Sequence, residues 1–367
     1  MSRARRPARI GVLALALASS FAPAAPACCP VWRMGGGVRI AEQRILVAWD
    51  PATKIEHFVR EARFDGKRTA GDDFGFLVPT PTEPEIAEAD GSVFADLERT
   101  SAPRHVQVTR TRPHWSLLGS LLLSTTAPMA ASRHTTDAAP KAAVEVVKTA
   151  RVAGYEAAVL RADDPDLLGK WLADNGYDSR PELVDWSRPY VAAGWMITAF
   201  KYVGAADRTD VAAVRMTFPT ERPLFPYRVP TDQIAEAGRG HMLRAFVVGP
   251  GRASGTLGDG DAARPWAQSA VTYSRPLSAD GGSAGLLAPA LPDGAAAALD
   301  GAWLTTFEDR TWPSGTADLA FAFDPAAAPY QRVIEDVVNR DVLVPLDVLA
   351  LAGVGLAFAA RRRTTAP

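Results

Sequence analysis

Apolar residues along this chain come mostly in short runs bounded by turn residues, not in long helical stripes. Ile45 to Trp49, Ile55 to Phe64, Phe74 to Val78 and His105 to Thr111 read as strands, with Asp65-Gly66 and Pro79-Thr80-Pro81 as stops. Gly91 to Glu98 reads as a short helix between them. Further on, Val144 to Thr149 and Tyr155 to Arg161 read as strands paired around Gly154. Asp163-Asp164-Pro165 then opens a helix, since an acidic cap accepts free N–H groups and proline fits the first turn. Leu167, Leu168, Trp171 and Leu172 give that helix one apolar face, and Asn175-Gly176 closes it with a left-handed cap. Ser179 and Glu182 have capping-box spacing and open a second helix through Trp186, with Pro189 limiting its length. Gly194 to Val203, Val211 to Phe218, Leu224 to Val229 and Met242 to Val248 are strand candidates.

The last part is looser. Gly251 to Asp261 and Leu277 to Gly285 are rich in turn residues, and Ser269 to Tyr273, Trp303 to Glu308 and Thr316 to Phe323 are short strands. Tyr330 to Asn339 reads as a helix leading into a final apolar run. The expected fold class is α+β, with predominantly antiparallel sheets, a helical pair around 163–193 and a C-terminal transmembrane helix. The expected organisation is a signal peptide (1–27), a first β-rich block (28–111), a linker or insertion (112–142), an α+β block (143–250), a looser β-rich block (251–340), a transmembrane helix (342–360) and a cytoplasmic tail (361–367). The 112–142 stretch is set apart by the apolar run Leu117 to Leu123, followed by Ser, Thr, Ala and Pro; it reads as a surface insertion or a membrane-associating loop.

Both ends point to export. Arg3, Arg5, Arg6 and Arg9 precede an apolar stretch from Ile10 to Phe21, and Ala25-Pro26-Ala27 has the small-x-small form of a cleavage site. Val342 to Ala360 is 19 residues long. As a helix it reaches roughly 28 Å, close to the hydrocarbon thickness. Arg361, Arg362 and Arg363 follow and belong on the cytoplasmic side, which leaves the globular part extracytoplasmic on a single pass. Asp347 is a defect in that run; a charge at mid-bilayer costs about 2.5–3.5 kcal/mol, and less near the edge.

Composition narrows the partners without naming one. The chain has 367 residues and a net charge of −1, so no overall field attracts nucleic acid. Its basic residues cluster at the two ends. The two cysteines, Cys28 and Cys29, are adjacent and close no loop, leaving free or vicinally bonded thiols, lipidation of Cys28 or intermolecular pairing open. No catalytic, cofactor-binding or metal-ligating residue stands out, and no cofactor is expected. Gly281 to Gly285 matches G-x-S-x-G, but lacks the strand and helix around Ser283 that an exposed nucleophile needs. Asp259-Gly260-Asp261 is followed by too few oxygen ligands for calcium. His57, His105, His114, His134 and His241 show no zinc spacing. Asp163, Asp164 and Asp166 have a sufficient role at a helix start. Most of the nine tryptophans belong to strand or helix patterns; a few could line a carbohydrate or peptide groove.

Several segments agree in order with a known family. These are Gly154-Tyr155-Glu156-Ala157-Ala158-Val159-Leu160, Leu172-Ala173-Asp174-Asn175-Gly176-Tyr177, Tyr190-Val191 and Phe200-Lys201-Tyr202. Cys28-Cys29, the stretch Phe74 to Pro81, and Arg215 to Pro219 with Pro226 add to them. Over most of residues 28–250 the chain resembles bacterial domain-of-unknown-function family 2330. The resemblance brings no assigned activity and no site residues. The functional expectation is therefore a non-enzymatic cell-envelope module that binds a protein, peptide or glycan partner at the cell surface. The alternative is an envelope hydrolase whose site is assembled from distant residues.

Overall fold

The computed structural model describes residues 39–65, 75–115, 145–177, 179–203, 213–234, 242–277, 282–344 and 356–357. The signal-peptide and cysteine positions, His134, His241, and residues 116–142 of the insertion lie outside them. In chain order come strands β1 (Arg39–Asp50), β2 (Ile55–Asp65), β3 (Gly75–Thr80) and β4 (Glu85–Ala89), helix α1 (Ser92–Thr100) and β5 (Arg104–Trp115). The hairpin β6 (Glu145–Val152) and β7 (Tyr155–Arg161) precedes helices α2 (Pro165–Asp174) and α3 (Pro181–Ala192). Then follow β8 (Met196–Tyr202), β9 (Ala213–Pro219), β10 (Leu224–Phe225), α4 (Thr231–Ile234), β11 (Met242–Gly249), β12 (Arg252–Leu257) and β13 (Arg264–Pro265). Last are β14 (Ser269–Pro276), α5 (Gly282–Leu287), α6 (Ala295–Ala298), β15 (Trp303–Asp309), β16 (Leu319–Asp324), β17 (Tyr330–Gln331) and β18 (Val333–Val344).

An eight-stranded sheet, ordered β17-β14-β15-β11-β1-β2-β9-β4, forms the centre. Its middle pair, β1 and β11, is parallel; its other pairings are antiparallel. Alternation along a strand sends successive side chains to opposite faces. Ile45 and Val47 of β1 and Leu243, Ala245 and Val247 of β11 enter one core, shared with the four-stranded sheets β3-β8-β7-β6 and β10-β16-β12-β13. Leu46, Ala48, Phe246 and Val248 point the other way, into a second core under α1, α5 and α6. A third core lies behind the β3-β8-β7-β6 sheet, where Leu77, Leu160, Ile197 and Ala199 meet α2 and α3. The layers therefore run helix, sheet, sheet, helix. The continuous apolar runs of β1 and β11 follow from burial on both faces.

The strand-rich α+β expectation holds, and the hairpin and first helix form as expected. Asp164 caps α2 by accepting from the N–H groups of Asp166 (2.7 Å) and Leu167 (3.2 Å). The second helix differs. Its cap is Arg180, which makes no side-chain capping bond, so the Ser179–Glu182 capping box does not form. Arg180 instead reaches Asp232 at 2.5 Å, and Pro181 at the helix start has no N–H to cap. Pro189 does not stop α3, which runs three residues past it. Trp186 Nε1 donates to the Arg228 carbonyl (2.9 Å) and the Tyr190 hydroxyl to Asp318 (2.9 Å), and both rings are buried. These anchors outweigh the one backbone bond that proline removes.

Two expectations in the last part are corrected. Gly251 to Asp261 contains a strand, β12, paired with β16. Its small residues hide it from the pattern, and Gly255 has a reason to be small: a Cβ there would stand 2.9 Å from the Trp266 ring. The helix expected over 330–339 is absent; Tyr330–Gln331 and Val333–Val344 are strands. Val333, Ile334, Val337 and Val338 satisfy a helical spacing as well as a strand pattern. Their β-branching favours strands, and β5 supplies the partner. β18 also takes Val342–Val344, the start of the expected span. Among the described residues no helix is long and apolar enough to cross a membrane; of residues 345–360 only Leu356 and Ala357 are described, with helical backbone.

Candidate ligand-binding cleft

The helix pair covers only part of the outer face of the β3-β8-β7-β6 sheet. β6 is the terminal strand of that sheet and is mostly exposed. Between its outer face and the C-terminal end of α2 lies a cleft of about 470 Å³, a volume suited to a small ligand or a few residues of a chain.

The end of α2 shapes one wall. Gly176 adopts φ +80°. The Tyr177 N–H then reaches back to the Leu172 carbonyl (2.9 Å) and the Gly176 N–H to that of Ala173 (3.2 Å). This is the Schellman arrangement, which reverses the chain within one residue. The reversal stacks the Tyr177 ring on Trp171, with centroids 6.1 Å apart and planes 26° apart. Asn175 Nδ2 donates to the Trp171 carbonyl at 2.8 Å, holding the same turn.

The sheet supplies the other wall. Cross-strand register sets Arg151 opposite Glu156, and the two form an ion pair on the exposed face. Glu156 is in turn opposite Lys201 of β8. Lys201 sits close to Gly176, whose added Cβ would meet its Nζ at 3.0 Å. A cation there is favoured by the carbonyl end of α2. Burial, and after it the Glu156 charge, push the Tyr177 phenol up from its ordinary value, so it stays a protonated donor. The cleft thus offers two cationic heads, one already paired carboxylate, an aromatic pair and a strand that is terminal in its sheet among the described residues.

The residues weighed in the sequence lie elsewhere. Asp164 caps α2, and Asp166 faces Arg188 at 3.6 Å. Asp259 is held by Arg222. Ser283 lies in the first turn of the six-residue α5, and Gly281 is outside the described residues. His105 meets Asp336 at 2.9 Å between β5 and β18. His57 is buried on β2, its Nδ1 3.0 Å from Thr217 Oγ1; burial, and then Arg215, lower its pKa to about 4, so it is neutral at physiological pH. Among the described residues no group of three or more His, Cys, Asp or Glu is placed to hold a metal ion.

Among the described residues three other tryptophans are core, while Trp49, Trp195 and Trp303 are half-buried. Trp186, Trp266 and Trp312 are buried, and Trp266 Nε1 donates to Asp309, whose carboxylate also accepts from Tyr227 and Thr311. Sequence reasoning did not single out the cleft residues, because no pair of them has a spacing that implies chemistry. Glu156, Asn175, Tyr177 and Lys201 do, however, fall inside the segments that carried the family resemblance.

Comparison with known proteins bears on that resemblance. No curated protein and no solved structure matches the chain. A family model described as "Uncharacterized protein conserved in bacteria (DUF2330)" matches residues 22–288, a stretch that includes every residue of the cleft. The chain therefore belongs to this bacterial family, DUF2330.

Proposed function

We propose that the protein is an exported, membrane-tethered binding module of the bacterial envelope, and that its cleft takes an extended segment of a protein or peptide partner. One observation carries the choice of ligand: the cleft runs beside β6, which among the described residues is the terminal strand of its sheet, and Val146, Thr149, Ala150 and Arg151 of that strand line it. An extended chain added to such an edge gains backbone hydrogen bonds, while a neighbouring pocket selects its side chains. Trp171 and Tyr177 are each only 8% exposed, so they offer edges to a side chain and not a broad platform to a sugar ring. The described lining has no Ser, Cys or His, and its one carboxylate is held by Arg151, which favours binding over hydrolysis.

Export is supported by the arginine-led apolar start and the cleavage pattern at Ala25-Pro26-Ala27. The tether is supported by the run 345–360 and its three arginines. Sixteen residues reach roughly 24 Å as a helix, short of the hydrocarbon thickness, and arginines that snorkel make up such a difference.

Full-length protein in detergent, screened against arrays of immobilised peptides and glycans, tests the ligand class. Peptide binding is expected, weakened about tenfold or more by Arg151→Glu or Lys201→Ala and lost on N-methylation of alternate peptide bonds in the ligand. Capture of glycans with no peptide bound would overturn the reading.

A further inference from the structure

Two rows of side chains cross the outer face of the β3-β8-β7-β6 sheet at the cleft, and strand register fixes both. The first row is Lys201 of β8, Glu156 of β7 and Arg151 of β6, so charge alternates plus, minus, plus from strand to strand. It ends at Gly75 of β3, where the Tyr177 ring takes the room of a side chain: an added Cβ would stand 3.2 Å from its Cε1. The second row is Ala199, Ala158 and Thr149, all small. Ala158 and Thr149 line the cleft together with Trp171.

The hairpin that carries these rows has little freedom to slip. Ala153 (φ 53°) and Gly154 (φ 80°) are both left-handed, as a two-residue type I′ turn requires, and Glu88 accepts the Ala153 N–H at 3.2 Å. A register shift between Val146 and Lys148 disturbs the start of β6, and Lys148 to Val152 pair regularly with β7.

These rows set what a guest strand would meet. Every pairing in this sheet is antiparallel. A strand added beyond β6 in the same sense places one residue opposite Arg151 and, two positions later, another opposite Thr149, both on the cleft face. The first position continues the alternation with a negative charge, since opposite charges facing across strands attract and like charges repel. The Arg151 guanidinium has five N–H donors, enough for Glu156 and a second carboxylate at once. The second position looks over Thr149 and Ala158 toward Trp171. From the guest strand to β7 is two strand spacings, roughly 10 Å, and only a long side chain such as Phe, Tyr or Met covers most of that gap.

We propose that the cleft selects an extended peptide carrying an acidic residue and, two positions toward its C-terminus, a large apolar one. The acid lies beside Arg151, and the apolar group lies over Thr149 and Ala158 against the edge of Trp171. The inference rests on the peptide reading proposed above and adds the peptide's sequence and direction.

The test uses the full-length chain in detergent and short fluorescent peptides with serine and threonine at their outer positions. Their centres read Glu-Thr-Phe, the reversed Phe-Thr-Glu, Lys-Thr-Phe or Glu-Thr-Ala, and a random peptide pool is measured beside them. Glu-Thr-Phe is expected to bind about tenfold or more tightly than each of the other three. Arg151→Glu, at a side chain 80% exposed, is expected to reverse the charge preference, so that Lys-Thr-Phe binds better than Glu-Thr-Phe. Thr149→Trp is expected to remove the advantage of Phe over Ala and to keep that of Glu over Lys. Equal binding of the four peptides, a preference for the reversed order, or a charge preference unmoved by Arg151→Glu would overturn the inference and leave the peptide reading standing. Binding of the pool but of none of the four would do the same. Binding of neither the pool nor the four would remove both.

Discussion

Among the described residues there are two parallel strand pairs, and they are built on opposite terms. In β1 and β11 the paired residues Leu46 and Phe246, and Val47 and Val247, are entirely buried, with a core on each face. In β5 and β18 Thr109, Val337 and Val338 are exposed and Val108 is half-buried, and His105–Asp336 and Arg110–Glu335 bridge the two strands. Parallel sheets ordinarily occur with both faces covered. The central pair follows that rule, and its sequence shows it as runs of consecutive apolar residues. The β5–β18 ribbon departs from it, and its sequence mixes charged and polar residues among the apolar ones. Backbone pairing holds both, but the hydrophobic contribution of about 1.5–3 kcal/mol per buried side chain is collected only in the centre.

The largest expected effect breaks the central pair. Phe246→Ala is expected to cost about 3–5 kcal/mol, read as a fall in the denaturation midpoint at unchanged slope. A loss below about 1 kcal/mol would mean that the core under α1 can collapse around the gap.

An intermediate effect comes from Glu56, on the inner face of β2 next to the central pair. It is fully buried, its carboxylate accepts the Leu224 N–H at 2.9 Å, and its Oε1 has no partner among the described residues. Burial pushes its pKa well above the ordinary 4.5, so the folded protein keeps a proton that the unfolded chain releases. Stability from this group is complete below about pH 4.5 and falls as pH rises toward the folded value. Glu56→Gln keeps the acceptor and removes the ionisation. The melting temperature of the variant, relative to the native chain, should therefore rise steadily as pH increases from about 4.5 toward the folded value. A difference that stays constant with pH would show that the carboxylate has found a partner.

The smallest effect sharpens the contrast. Val337→Ser on the ribbon is expected to change stability by no more than about 0.5 kcal/mol. By hydrogen exchange, β18 amides should exchange through local opening, while those of β1 and β11 wait for global unfolding. Equal protection in the two pairs would show that something covers the ribbon.

Much of the local structure was legible because it depends on neighbours in sequence. The Asp164 cap, the Gly176 reversal and the β6–β7 hairpin are each set by a few adjacent residues. The failures share the opposite cause. β12 has too little side chain to reveal itself and depends on β16. β18 has two patterns at once, and β5, more than two hundred residues away, selects between them. Pro189 is tolerated because Asp318 and the Arg228 carbonyl hold the turns around it.

The cleft was not legible at all. Arg151, Glu156, Trp171, Tyr177 and Lys201 come from three strands, a helix end and the loop after it, and only sheet register brings them together. Sequence by itself determined the strand-rich α+β character, the helical pair and the family, since short-range periodicity, capping chemistry and residue order specify these. Tertiary structure decided which strands are buried on two faces, which pair stands exposed, and where the terminal strand β6 meets a pocket. Those outcomes depend on contacts between distant residues, and their free energies are not written in any single stretch of chain.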